Sequence, residues 1–212
     1  DLFDIARDIL TRGRLDDQAR FLQMVLETKA GQESSIVAGG HMYAARRLSA
    51  QHTTAGWVTE QMSGLENLQY IRNLEKRVKE DWPSVLKDLE AIRSALVRRE
   101  GSVVNLTGDT ETLLAAAPAV EGFLGCLEDG LPPAGYRAGW LPGIPKENEA
   151  LVVPTQVNYV GKGANLYREA GYELEGSAYV ISKYLGNTWL WDRVRVSGGA
   201  YGGFCSFDNH SG

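Results

Sequence analysis

The 212 residues carry 43% hydrophobic and 23% charged side chains, with a formal net charge of −5 and a pI near 5.3. This balance is typical of a globular protein with a hydrophobic core and unlike that of a disordered chain. The negative net charge argues against nucleic acid or anionic lipid as the main partner, because neither would be attracted electrostatically.

Apolar residues at helical spacing predict that most of the first part of the chain is helical. A first helix is expected over residues 2–13. A second begins after Asp16 and Asp17, which can cap it, and continues towards Leu48. Gly39 and its glycine neighbour lie inside this helix, so we expect a break or kink there.

Two further apolar stripes, 65–78 and 85–96, predict a pair of packed helices on either side of the start signal Asp81-Trp-Pro83. The β-branched segment 102–107 is bounded by glycines, which predicts a strand. A helix over 110–127 then completes this part of the chain.

Proline and glycine are dense between residues 129 and 148, which predicts a linker. Beyond it the pattern predicts a strand over 150–160, a helix over 177–195 and a strand over 201–207. The order of these elements indicates an α+β architecture in two parts, a helix-rich first part and a second part with antiparallel strands and a helix.

The most informative residues lie at a glycine-rich corner near the end of the chain. Arg195 and Tyr201 could both donate hydrogen bonds to a peptide carbonyl and stabilise oxyanion charge. Alternatively, they are a surface arginine and a strand tyrosine beside a tight corner. Glycines around the tyrosine would let another backbone approach closely, but the residue types leave both readings open. The glycines concerned are Gly198, Gly199, Gly202 and Gly203.

Other site chemistries find little support. The glycine cluster follows a helix, whereas nucleotide-binding loops place it after a strand and before a helix. His41, His52 and His210 belong to no zinc-binding motif, so we predict no metal site and no catalytic residue in this chain. Cys126 and Cys205 match no paired motif, which indicates a reducing compartment. No apolar run approaches the roughly 20 residues of a membrane span, so we predict no membrane partner.

Five segments resemble the presequence peptidases, which are organellar members of the pitrilysin-type zinc metallopeptidases, and most nearly their plant and algal branch. They occur in the same order as in that family. The segments are Ala55–Gly64, Val104–Thr107, Val153–Lys162, Gly171–Lys183 and Asn187–Cys205.

The resemblance implies an incomplete pair of pitrilysin-type domains, of the kind shared with LuxS and M16 enzymes. Residues 1–128 would be the C-terminal part of the third domain, 129–148 a linker, and 149–212 the N-terminal part of the fourth. We therefore expect the chain to be part of a longer polypeptide, whose N-terminal half would be its partner.

The resemblance also implies a function. Arg195 and Tyr201 match the pair that binds the substrate backbone, while Zn²⁺ would be held by an H-x-x-E-H motif in the N-terminal half. The substrates would be cleaved presequences and other short unfolded peptides, in the mitochondrial matrix, the chloroplast stroma or both. The alternative is a non-catalytic relative that binds peptides or serves as an assembly subunit. An upstream H-x-x-E-H motif would distinguish the two.

Overall fold

The computed structural model describes residues 2–130 and 147–212, and the regular elements in these ranges are helical. No helix among them is both long and apolar enough to cross a membrane. A π-helix spans Trp191–Val196. The α-helices, in chain order, are α1 (Leu2–Arg12), α2 (Gln18–His52), α3 (Thr54–Ser63), α4 (Leu65–Glu80), α5 (Trp82–Leu96), α6 (Thr110–Gly125), α7 (Leu166–Glu169) and α8 (Ser177–Asn187).

Most of the helices predicted from apolar spacing are present, and local capping explains where they begin. The side chain of Asp81 accepts a hydrogen bond from the backbone N–H of Ser84, and Asp109 does the same for Thr112. These bonds satisfy N–H groups that the first turn of a helix leaves free. The predicted kink in α2 is confirmed, because Gly39 has the non-helical angles φ −125° and ψ 28°.

The described residues form two compact units, the first containing 2–33 and 68–130 and the second 34–67 and 147–212. In the first unit α1 packs on α6, with the rings of Phe3 and Phe123 6.0 Å apart. Its buried apolar side chains come from helices that are distant in sequence. They are Val25, Leu68, Val78, Val85 and Leu127.

A charged contact joins α2 to α4 within the first unit. The ammonium group of Lys29 lies 2.6 Å from one carboxylate oxygen of Glu75, and Lys79 lies 2.6 Å from the other. Hydrogen bonds from these two lysines lower the pKa of the Glu75 carboxyl to about 2. Glu75 is therefore ionised wherever the protein is folded at ordinary pH.

The second unit is held by contacts between α2 and the segments that follow residue 147. The hydroxyl of Tyr159 donates to the carbonyl oxygen of Val37 at 3.0 Å, and its ring lies against Gly40. Asn165 is buried and caps α7 by accepting from the N–H of Arg168 at 2.9 Å. The buried apolar residues of this unit are Ile36, Tyr43, Ala50 and Ala178.

A buried carboxylate fixes the junction between α3 and α4. The side chain of Glu60 is 1% exposed, and its Oε1 accepts a hydrogen bond from the N–H of Leu65 at 2.8 Å. Because Leu65 begins α4, Glu60 caps this helix from the helix before it. Gly64 lies between them, directly against the Glu60 carboxylate, where a side chain would overlap it.

Arg47 of α2 connects this junction to the segment that contains Glu149. Its Nε and Nη2 donate to the two carboxylate oxygens of Glu149 at 2.6 and 2.9 Å. Its Nη1 donates to Glu66 at 3.0 Å and to Glu60 at 3.4 Å. The Arg47 guanidinium lowers the pKa of the Glu149 carboxyl, which keeps this ion pair charged at ordinary pH.

The predicted α+β class is wrong for the residues that the structure describes, which are all-α. The segments expected to be strands, 102–107, 150–160 and 201–207, join no sheet, and an isolated β-bridge in the described part of the chain links Arg98 to Glu128. A strand needs a second strand to accept and donate its backbone hydrogen bonds. The three segments have no such neighbour among the described residues.

Side-chain exposure agrees with this correction. Val103, Val152 and Val160 are 90%, 100% and 93% exposed, whereas valines in a sheet would be buried on one face. The β-branched composition therefore reported local preference without a partner strand. The predicted linker lies largely outside the described residues, and the division into 1–128 and 149–212 stays a prediction.

We expect Glu75→Gln to destabilise the protein at neutral pH, because it removes the charge that both lysines contact. A carboxyl with a lowered pKa in the folded state stabilises the fold above its unfolded pKa, and the contribution is lost as pH falls through the folded pKa. The difference in unfolding free energy between the native chain and the variant should thus be full at neutral pH. It should shrink between about pH 4.5 and pH 2, as measured by urea unfolding.

The control is Glu33→Gln, which removes an equally close but more exposed pair with Arg72. Solvent-exposed pairs contribute at most about 1 kcal/mol. Equal losses of stability in the two variants at every pH would contradict the role assigned to Glu75.

Gly64→Ala should lower the free energy of unfolding by about 1–3 kcal/mol, since the added methyl group would overlap a buried carboxylate. Gly31→Ala is the matched change inside α2, where an added Cβ meets nothing within 4 Å. That variant should be stabilised by about 0.5–1 kcal/mol. Thermal unfolding of both tests the opposite signs, and a harmless Gly64→Ala would refute the packing at the α3–α4 junction.

Candidate substrate-binding site

The site predicted from sequence begins in the π-helix Trp191–Val196, which carries Arg195 near its end. The N–H of Ser197 donates to the carbonyl oxygen of Asp192 at 2.9 Å, which is the wider hydrogen-bond spacing of a π-helix. The Arg195 guanidinium carbon lies 4.4 Å from the ring centroid of Trp191. This is a cation–π contact within a single turn.

A glycine corner ends the π-helix and turns the chain back. Gly199 has a φ of +71°, a conformation that residues with a side chain rarely adopt. The N–H groups of Gly199 and Ala200 donate to the carbonyls of Arg195 and Val194 at 3.0 and 3.1 Å, satisfying carbonyl groups at the helix end. Gly203 then packs closely on Leu190, so the chain after the corner lies against the helix before it.

Aromatic contacts fix the far side of the corner to α2. The ring of Phe204 stacks on His41 with centroids 5.7 Å apart, and His41 also lies 6.0 Å from the ring of Tyr159. Tyr201 precedes Phe204 by three residues and is 87% exposed. The segment that carries Tyr201 is therefore anchored, while its phenol remains accessible.

The structure places Arg195 and Tyr201 on opposite sides of the glycine corner, both exposed. Among the described residues, no hydrogen bond or ion pair involves either the Arg195 guanidinium or the Tyr201 hydroxyl, and the two side chains do not touch. Their hydrogen-bond donors are thus available to a ligand. The predicted strand at Tyr201 is wrong, so the corner joins a π-helix to an unpaired segment.

Zinc chemistry finds no ligand set in the described ranges. No group of three or more histidine, cysteine or acidic side chains there could hold a metal ion. His41 lies between aromatic rings and His52 lies 3.7 Å from Glu169. Both cysteines are free and exposed. The residues described here do not fit a zinc centre.

Sequence reasoning missed the role of Trp191. The signal was available, because residues four apart in a helix lie on the same face and can contact each other. It also missed the contact between His41 and Phe204, which 163 positions of sequence separate and no local pattern reports.

Comparisons with known proteins cover both ends of the chain. The family described as "PreP C-terminal domain" matches residues 148–212, and a domain described as associated with M16 peptidases of subfamily C matches residues 1–74. The chain is 50% identical over its whole length to "Presequence protease 1, chloroplastic/mitochondrial" of Arabidopsis thaliana, of which it covers 19%.

More distant relatives match over nearly the same length. "Presequence protease, mitochondrial" of Saccharomyces cerevisiae is 25% identical over 100% of the chain and 22% of the relative. "Protein HypA" of Clostridium perfringens is 29% identical over 99% of the chain and 21% of the relative. The chain thus spans about a fifth of the length of the curated relatives it matches. The names of the plant and yeast relatives agree with the mitochondrion and chloroplast expected from the resemblance.

Proposed function

The chain belongs to the presequence protease family, and from this premise we propose that it is part of a zinc metalloendopeptidase. The substrates proposed for the whole protein are cleaved targeting presequences and other short unstructured peptides. The 50% identity to a plant presequence protease over all 212 residues supports this. The proposed compartments are the mitochondrial matrix and the chloroplast stroma.

We assign to this part of the protein a wall of the proteolytic chamber and a clamp for the substrate backbone. The clamp consists of Arg195 and Tyr201. The observation that carries the assignment is that both side chains are exposed beside a rigid corner, with their donors unused by the described residues. A surface arginine with a structural role would instead be engaged with acceptors, as Arg47 is.

The proposed chemistry follows from these two donors. The guanidinium is always charged and presents several N–H groups in one plane, and the phenol adds an O–H donor. Directed at the carbonyl of the bond to be cleaved, they would stabilise negative charge as it develops on the oxygen. Such donors accelerate a reaction because they bind the transition state more strongly than the ground state.

The zinc ion and the general base are proposed to lie elsewhere in the longer protein. Zinc is implied by the family, and the described residues contain no cluster that could bind it. The N-terminal half of the same polypeptide is therefore the proposed partner that completes the active site.

We expect Arg195→Ala and Tyr201→Phe each to lower kcat/KM for peptide cleavage by the full-length protein about 100-fold or more, since losing one oxyanion donor typically has this effect. A fluorogenic presequence peptide provides the measurement. The matched control is Arg193→Ala, which removes another exposed arginine from the same π-helix and should leave the rate unchanged. Wild-type rates in both clamp variants would refute the assignment.

The isolated 212-residue chain should show no peptidase activity, even with added zinc, because its described residues lack a ligand set. Circular dichroism would first establish that the preparation is helical. Measurable turnover by a metal-loaded, folded sample would contradict the proposed division of the active site.

A further inference from the structure

We propose that Trp191 is a positioning residue, which holds the Arg195 guanidinium in the orientation that its proposed clamp role requires. This inference rests on the proposed function of Arg195. It assigns a task to a tryptophan that lies outside the clamp itself and acts through its neighbour.

The geometry of the pair carries the proposal. The guanidinium carbon of Arg195 lies 4.4 Å from the centroid of the Trp191 ring, and both residues belong to the π-helix Trp191–Val196. A cation over an aromatic ring is attracted to its face, and tryptophan provides the strongest such contact. The N–H groups lie in the guanidinium plane, so contact through its flat face leaves them directed outward.

The surroundings of Arg195 give the ring particular weight. Among the described residues, its guanidinium has no hydrogen bond and no ion pair, although Asp192 is only three positions away in the same helix. An exposed arginine samples many rotamers, and ordering one costs conformational entropy. The ring of Trp191 is thus the contact that restrains Arg195 without occupying its donors.

Arg47 shows the opposite arrangement in the same unit. Its donors are directed at the carboxylates of Glu149, Glu66 and Glu60, which fixes the side chain but consumes its hydrogen-bonding capacity. A carboxylate partner for Arg195 would likewise compete with a substrate carbonyl. An aromatic partner orients the cation and does not compete, which suits a residue that must bind a neutral carbonyl.

The test uses the full-length protein and a fluorogenic presequence peptide. Trp191→Leu should lower kcat/KM about two- to fivefold, as expected for loss of an exposed cation–π contact. Trp191→Phe keeps a ring and should retain most of the activity. Trp189→Leu is the matched control, because Trp189 is also exposed and no cation–π contact within the described residues involves it; its activity should equal that of the wild type.

The decisive measurement adds Trp191→Leu to the Arg195→Ala variant. If Trp191 acts only through Arg195, the second substitution causes no further loss in that background, whereas a general structural role would cause the same loss in both. A repeated two- to fivefold loss therefore overturns the proposal, as does full activity of Trp191→Leu beside a strongly impaired Arg195→Ala. Full activity of Arg195→Ala and Tyr201→Phe would instead refute the proposed function itself.

Discussion

The second unit depends on the ion-pair network around Arg47. One guanidinium of α2 reaches the segment after residue 147 through Glu149, and the junction of α3 and α4 through Glu60 and Glu66. Because three carboxylates share one cation, each position restricts the others. Glu60 adds a second constraint, since its buried carboxylate also caps α4. The framework beneath the candidate site is thus electrostatic as much as hydrophobic.

Two arginines in this unit illustrate how the environment of a cation decides its use. Arg47 is surrounded by carboxylates and is committed to holding the fold together. Arg195 lies on a tryptophan ring in a π-helix, a helix type that is uncommon and frequently found at functional sites. The same side-chain chemistry is structural in the first setting and available for binding in the second.

Helix positions could be predicted from the sequence because a helix satisfies its own backbone hydrogen bonds. The caps at Asp81 and Asp109 and the kink at Gly39 are local events, and local pattern found them. The short helix α3 escaped because no long apolar stripe marks it, although Thr53 provides its cap. The strands at 102–107, 150–160 and 201–207 were predicted wrongly, since pairing depends on a second strand that composition cannot supply.

The sequence by itself determined the helices, the family and the two candidate residues at the glycine corner, because each is encoded in a continuous stretch of chain. Only the tertiary structure decided how these residues are presented. The stacking of Phe204 on His41 and the packing of Gly203 on Leu190 anchor the corner through contacts that join separate elements. The all-α character of the described residues was decided in the same way, because whether an extended segment becomes a strand depends on what lies beside it.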